Sequence, residues 1–234
     1  MKKLSLAVII LFLSLLPVAA MANDTTATLG AGGLEFTKNM YIQMQSENLS
    51  ISPRKINIDY VFKNTSPKPI TTTVAFPLPP IPVSEFAQPM DLPVAEVNGV
   101  LPPNYVNFKV SSNGTDIPVE EKKVALLPDQ DVTQILKDYG LKIELSTYQN
   151  LNFKTYQAMS KEALERLQRL GLISYDWEQL HAEGASETYS GVSELWSVQT
   201  VYYWRQVFPA NQELAIHHEY VPLYGSSVPF SADT

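Results

Sequence analysis

The run His217-His218-Glu219 places three side chains able to bind a metal or move protons next to one another. A zinc site needs three or four ligands converging on one point, whereas neighbours on a strand point to opposite faces. The stretch 212–221 alternates, with Leu214, Ile216, His218 and Tyr220 on one side. His217 and Glu219 therefore share the other side, and two ligands are too few. The remaining histidine, His181, lies in a separate, helix-patterned part of the chain. No metal site is expected. His218 reads as an inward residue hydrogen-bonded in the core, and His217 and Glu219 as an exposed pair. His218 is still the candidate for acid–base catalysis, and His217 and Glu219 are candidates for binding.

Other catalytic patterns are thin. A hydrolytic serine needs a base and an oxyanion donor beside it. There is no G-x-S-x-G, and Ser190-Gly191 and Ser226-Ser227 read as turns. Glu120-Glu121 reads as a solvated pair, and Asp129 and Asp131 as a helix start. Glycosidase chemistry needs two carboxylates at a defined separation, which spacing along a chain does not specify. Gly30-Ala31-Gly32-Gly33 lacks the Lys-Ser/Thr and the helix of a phosphate loop. There is no cysteine, which excludes a disulfide, a thiolate zinc site, a cysteine nucleophile and a lipid anchor on cysteine. No cofactor is expected.

The aromatic run 196–208 points to binding instead. Trp196, Val198, Thr200, Tyr202, Trp204 and Phe208 share one face of a strand, and Val201, Tyr203 and Arg205 the other. The first set fills a core, as strand aromatics do. Tyr203 and Arg205 are left outward as a candidate stacking surface for a protein or glycan partner.

The elements that must position these residues are mostly strands. Ile56, Ile58, Tyr60 and Phe62 alternate with Asn57, Asp59, Val61 and Lys63 over 55–63. Asn64-Thr65-Ser66-Pro67 supplies turn residues, and the pattern resumes over 70–76, which predicts a hairpin. Ile42, Met44, Leu49 and Ile51 punctuate 41–51. The proline-rich stretch 77–103 is expected to be an ordered extended crossover, neither helix nor central strand, because proline lacks the backbone donor. Short strands are expected at 105–110 and 115–124 around Asn113-Gly114, a strong hairpin signal.

The period changes over 129–181. Val132, Ile135, Leu136 and Tyr139 lie on one helix face, with Asp129 or Asp131 as cap and Gly140 as terminator. A second helix is expected from Ser160 through Leu164, Leu167 and Leu170 to Gly171, and a short third around Trp177 and Leu180. Strands flanking a helical stretch, without βαβ alternation, predict a mainly β fold: an immunoglobulin-like antiparallel β-sandwich with an inserted helical segment, α+β overall. The divisions expected are 1–22, 23–128 (first part of the sandwich), 129–190 (helical insertion) and 191–234 (second part).

Residues 1–22 read as a cleavable signal peptide. Lys2 and Lys3 precede an apolar run from Leu4 to Leu16, Pro17 ends it, and Ala20-Met21-Ala22 is a small-x-small site, so cleavage is expected before Asn23, the alternative being a retained N-terminal anchor helix. The run falls short of the roughly 20 apolar residues of a bilayer span, and no later segment is longer, so no stable membrane span is expected after cleavage. Asn23, Asn48, Asn64 and Asn113 each begin an N-x-S/T triplet. In a chain without cysteine these read as turn chemistry in a bacterial protein, and the periplasm is the expected location. The net charge of −7, more negative once Lys2 and Lys3 are removed, argues against nucleic acid and anionic membranes as partners.

An ordered series of motifs then stands out: Asn23-Asp24-Thr25, Gly32-Gly33-Leu34, Tyr60 to Ser66, Ala75-Phe76-Pro77-Leu78-Pro79, Leu170-Gly171-Leu172-Ile173, Tyr203 to Pro209, and His218-Glu219-Tyr220-Val221-Pro222. This resembles the bacterial exported family known as domain of unknown function 4424, across residues 23–234. The resemblance implies compartment and fold, and no catalytic residue. Family members continue past the counterpart of Tyr220, so the chain ending at Thr234 is expected to be a shortened member or a fragment. Phe62-x-Asn64-x-Ser66 followed by Phe76-Pro77-Leu78-Pro79 is also similar to the opening hairpin of the vault/inter-alpha-trypsin domain. The functional expectation is a non-catalytic binding or scaffold protein of the cell envelope. The alternative is a periplasmic hydrolase of glycan or peptide using carboxylates and His218.

Overall fold

A computed structural model describes residues 25–30, 33–36, 39–86, 90–91, 94–97, 99–128, 130–146 and 150–225. The cleavage residues Ala20, Ala22 and Asn23, the serines Ser226-Ser227 and the alternative cap Asp129 lie outside the described residues. The first strands are β1 (Thr25–Gly30), β2 (Gly33–Phe36), β3 (Ile42–Ser52), β4 (Lys55–Asn64), β5 (Ile70–Pro77) and β6 (Ile81–Pro82). Then come α1 (Val83–Phe86), β7 (Met90–Asp91), β8 (Lys109–Ser112), β9 (Thr115–Ile117), β10 (Glu120–Leu127) and β11 (Gln130–Asp131). The helical stretch holds α2 (Thr133–Asp138), α3 (Phe153–Ala158), α4 (Lys161–Arg169), β12 (Ile173–Tyr175) and α5 (Trp177–Leu180). The chain closes with β13 (Val192–Glu194), β14 (Ser197–Phe208), β15 (Glu213–Tyr220) and β16 (Tyr224–Gly225).

The chain is mainly β, as its alternation predicts. A seven-stranded antiparallel sheet runs β11-β10-β14-β5-β1-β2, with β6 also on β14, and a five-stranded one runs β3-β4-β15-β8-β9. Each contributes its apolar face to one core. Ile58, Tyr60 and Phe62 of β4 are buried while Asp59 between them is exposed. On β14 the inward set is Val198, Thr200, Tyr202, Trp204 and Phe208. The faces meet through aromatic contacts, with ring centroids 6.0 Å apart for Phe62–Phe208 and 4.5 Å for the stacked pair Phe108–Tyr202. Fully burying such a side chain contributes about 2–3 kcal/mol, so this seam dominates cohesion. Leu136, Leu164, Leu167 and Leu180 of the helices belong to the same core.

The predicted hairpin of 55–63 with 70–76 does not form. β4 pairs with β3 and β15, whereas β5 pairs with β14 and β1. The polar turn is a crossover between sheets, anchored by fully buried Asn64. Its Nδ2 donates to the carbonyls of Lys68 and Phe208, each at 2.9 Å, and its Oδ1 accepts from Ser66 N at 2.9 Å. These bonds tie the turn to the end of β14 and lead the chain into the other sheet. The hairpin that suggested the vault-like resemblance is therefore absent. The strand expected over 115–124 also divides at Pro118, which cannot donate to a ladder, and β9 and β10 enter different sheets. The Asn113-Gly114 hairpin does form, both residues having positive φ (48° and 77°). The strand expected at 105–110 begins only at Lys109. A single helical turn, α1, occupies the proline-free interval after Pro82, against the expectation of no helix there.

The parity of β3 also has a local cause. Ile42 and Met44 face inward ahead of a register shift between Met44 and Ser46, and Glu47, Leu49 and Ile51 take that side after it. A bulge adds one residue and so flips every later side chain.

In the helical segment, Asp131 accepts from Thr133 N at 2.9 Å, and Gly140 (φ 69°) ends α2. Ser160 caps α4, accepting from Ala163 N at 3.3 Å. Helix α3, burying Phe153 and Tyr156, and the small sheet β12-β13 were not expected from the sequence. No helix among the described residues is long and apolar enough to cross a membrane. Gly191 permits a close approach there: its φ is +67°, and a Cβ would sit 2.8 Å from Leu180 N and 3.1 Å from Asp176 O. Gly191→Ala is expected to cost about 2 kcal/mol or more, read as a lower urea midpoint.

Candidate functional site

Tyr203 and Arg205 stand on the outer face of the seven-stranded sheet, as their parity requires. Cross-strand registers set their neighbours: Glu120 lies opposite Tyr203 on β10, and Thr73 lies opposite Arg205 on β5. With Thr71 and Thr72 they line an open depression of about 440 Å³. Tyr203 packs on a small apolar cluster of Ala75, Val124 and Val201, which fixes its ring. Its hydroxyl donates to Glu120 Oε2 at 3.0 Å. Burial, together with the Glu120 carboxylate, raises the phenol pKa, so the proton stays on Tyr203. Arg205 is exposed. The face thus offers a held aromatic ring, a guanidinium, a carboxylate and threonine hydroxyls, a set suited to stacking and hydrogen bonding.

The outer face of the other sheet carries His217 and Glu219, which share a side as expected. His217 Nδ1 lies 2.7 Å from Asp59 Oδ1, and its Nε2 lies 3.8 Å from Glu219 Oε2. The two ring nitrogens address different carboxylates, so the three groups do not converge on one point. Glu219 also pairs with Lys55, and with Lys109 at 3.2 Å. The Lys55 hydrogen bond is the main cause holding the Glu219 carboxyl below its usual range, with Lys109 adding to it. Glu219 and its two lysine partners pair at the partly exposed surface, where each pair contributes little. His181 is elsewhere, its Nδ1 2.9 Å from Trp177 O.

His218 faces the core and is fully buried. Its ring centroid lies 5.2–5.4 Å from those of Tyr60, Phe76, Phe108 and Trp204. Burial, with a smaller effect of neighbouring His217, pushes its pKa down to about 3. A general acid or base must reach a substrate proton, and this ring is enclosed by aromatics.

The sequence reading missed a buried carboxylate. Glu194, on β13, is only 9% exposed. Its Oε1 accepts from Asn152 Nδ2 at 2.6 Å and from Tyr156 OH at 2.9 Å. Asn152 in turn accepts from Lys142 N at 2.7 Å and donates to Lys142 O at 3.0 Å. Burial lifts Glu194 to about pKa 7 against the opposing pull of those two donors. The only trace in the sequence is that Glu194 shares the parity of buried Val192 and Trp196. The group sits inside the helical segment, and its hydrogen bonds join β13, α3 and the 141–146 loop.

The model of the family described as domain of unknown function (DUF4424) matches residues 22–234, and the chain belongs to that family. A search of curated proteins returned no match. Among solved structures, a Legionella pneumophila protein described provisionally as a nutrient binding protein is similar at 18% identity and a TM-score of 0.41. The likeness covers 87% of this chain and 43% of that one, so this chain spans less than half of that protein's length.

Proposed function

We propose that this chain is a non-catalytic binding protein of the bacterial cell envelope, exported to the periplasm by a signal peptide over residues 1–22. Its two sheets serve as an immunoglobulin-like frame, and its ligand is a glycan or glycan-bearing partner taken on the outer face of the seven-stranded sheet. The observation that carries this reading is the Tyr203–Arg205–Glu120 face, with its ring held by packing and by the 3.0 Å bond to Glu120. A half-buried, fixed aromatic stacks on the apolar face of a sugar ring at little entropic cost, and the flanking polar groups hydrogen-bond its hydroxyls. The enclosure of His218 favours this over the hydrolase reading.

Titration of the purified protein with soluble peptidoglycan fragments, followed by calorimetry, tests it. Saturable binding is expected, weakened roughly tenfold or more in Tyr203→Ala/Arg205→Ala, with unchanged circular dichroism. No binding, binding indifferent to the double substitution, or cleavage of the fragments would overturn the reading.

A further inference from the structure

We propose that two copies of this chain associate edge to edge through β3, continuing the five-stranded sheet across a twofold axis. β3 is the end strand of that sheet, and among the described residues no strand pairs with its outer edge. It is 11 residues long, contains no proline, and carries a single charge, Glu47. Edge strands in monomers are usually kept short, charged or proline-bearing, because their open backbone groups invite another strand. Two exposed large apolar side chains, Leu49 (45% exposed) and Ile51 (70%), lie two residues apart on β3. The partners of Leu49 and Ile51 on β4, Ile58 and Ile56, are covered or half-covered, so beside this end of β3 the core stops one strand short of the edge.

A second copy fits this edge better than an arbitrary strand, because β3 complements itself in one register. With the twofold axis at Ser50, antiparallel pairing joins Asn48–Ser52 of the two copies and sets Leu49 opposite the partner's Ile51 and Ile51 opposite the partner's Leu49, on the same face. It also brings Glu47 opposite the partner's β3–β4 turn, where Arg54 is exposed. Symmetry makes each contact twice. Centring on Glu47 would instead oppose two carboxylates, which is destabilising on a cross-strand pair. Charge thus disfavours the Glu47-centred register, and of the registers that avoid it the one centred on Ser50 joins Leu49 and Ile51 across the axis.

Sedimentation velocity on the purified protein over ~1–100 μM, the range in which modest interfaces dissociate, tests the proposal alongside hydrogen exchange of the β3 amides. A monomer–dimer equilibrium is expected, with the outward-pointing amides of the 48–52 stretch, those not bonded to β4, protected only in the dimer. L49K/I51K should weaken it by roughly a hundredfold, since apolar contacts are replaced by opposed ammonium groups. E47K and R54E should each weaken it by roughly tenfold, and E47K/R54E together should restore most of the loss. Circular dichroism checks that each variant is folded. A protein that stays monomeric throughout, a dimer insensitive to L49K/I51K, a charge exchange without recovery, or outward-pointing β3 amides already protected in the monomer would each overturn it.

Discussion

Glu194→Gln is expected to stabilise the protein at pH 8 by about 3 kcal/mol, and by progressively less as the pH falls toward 4.5. The folded chain holds the Glu194 proton up to about pH 7, whereas the ordinary value is 4.5. Between these two values folding takes up a proton, so the wild-type contribution falls as pH rises, and it is flat above 7. A displacement of this size corresponds to about 3 kcal/mol at 1.4 kcal/mol per pH unit. Glutamine retains an oxygen for Asn152 and Tyr156 and removes the charge whose desolvation is the cost. Urea unfolding of the two proteins across pH 4–8 measures this. A difference that does not change with pH would sink the idea that Glu194 is the titrating group.

The second large effect has the opposite sign. His218 resists protonation down to about pH 3 in the folded protein, against an ordinary value of 6.5. The unfolded chain binds that proton first, so wild-type stability falls as pH drops from 6.5 toward 3, by about 5 kcal/mol in total. His218→Leu removes this loss, whatever constant offset the repacking among Tyr60, Phe76, Phe108 and Trp204 introduces. The measurement is the wild-type minus variant difference from pH 7 to pH 3.5. Between about pH 4.5 and 6.5 the two slopes cancel in the wild type, so its stability is nearly level there and each single variant exposes the other's slope. A wild type and a His218→Leu variant with parallel profiles would refute the assignment.

Both groups show where reading the chain in one dimension succeeds and stops. That His218 points inward follows from its parity with Leu214 and Ile216, because successive strand residues must alternate. Its aromatic enclosure follows only from the meeting of two sheets. Glu194 has the same kind of parity signal, but a carboxylate one position from a leucine reads as exposed until α3 is seen to cover it. Helix α3 itself, six residues long, is too short for periodicity to distinguish from a loop.

The sequence by itself determined the local choices at this protein: the inward faces of β4, β14 and β15, the Asn113-Gly114 hairpin, the Ser160 cap and the stops at Gly140 and Gly171. Each depends on contacts within a few residues, where sterics and a period of two or 3.6 suffice. The outward placement of Tyr203 and Arg205 was legible for the same reason. Only the tertiary structure decided which strands pair, because alternation identifies a buried face and says nothing of the hydrogen-bonding edge. It sent β4 and β5 into different sheets through Asn64, set Glu120 beside Tyr203, enclosed Glu194, and left the edge of β3 without a paired strand among the described residues. Those outcomes rest on bonds between residues far apart in the chain, such as Asn64 with Phe208 and Asn152 with Glu194, whose partners no local pattern names.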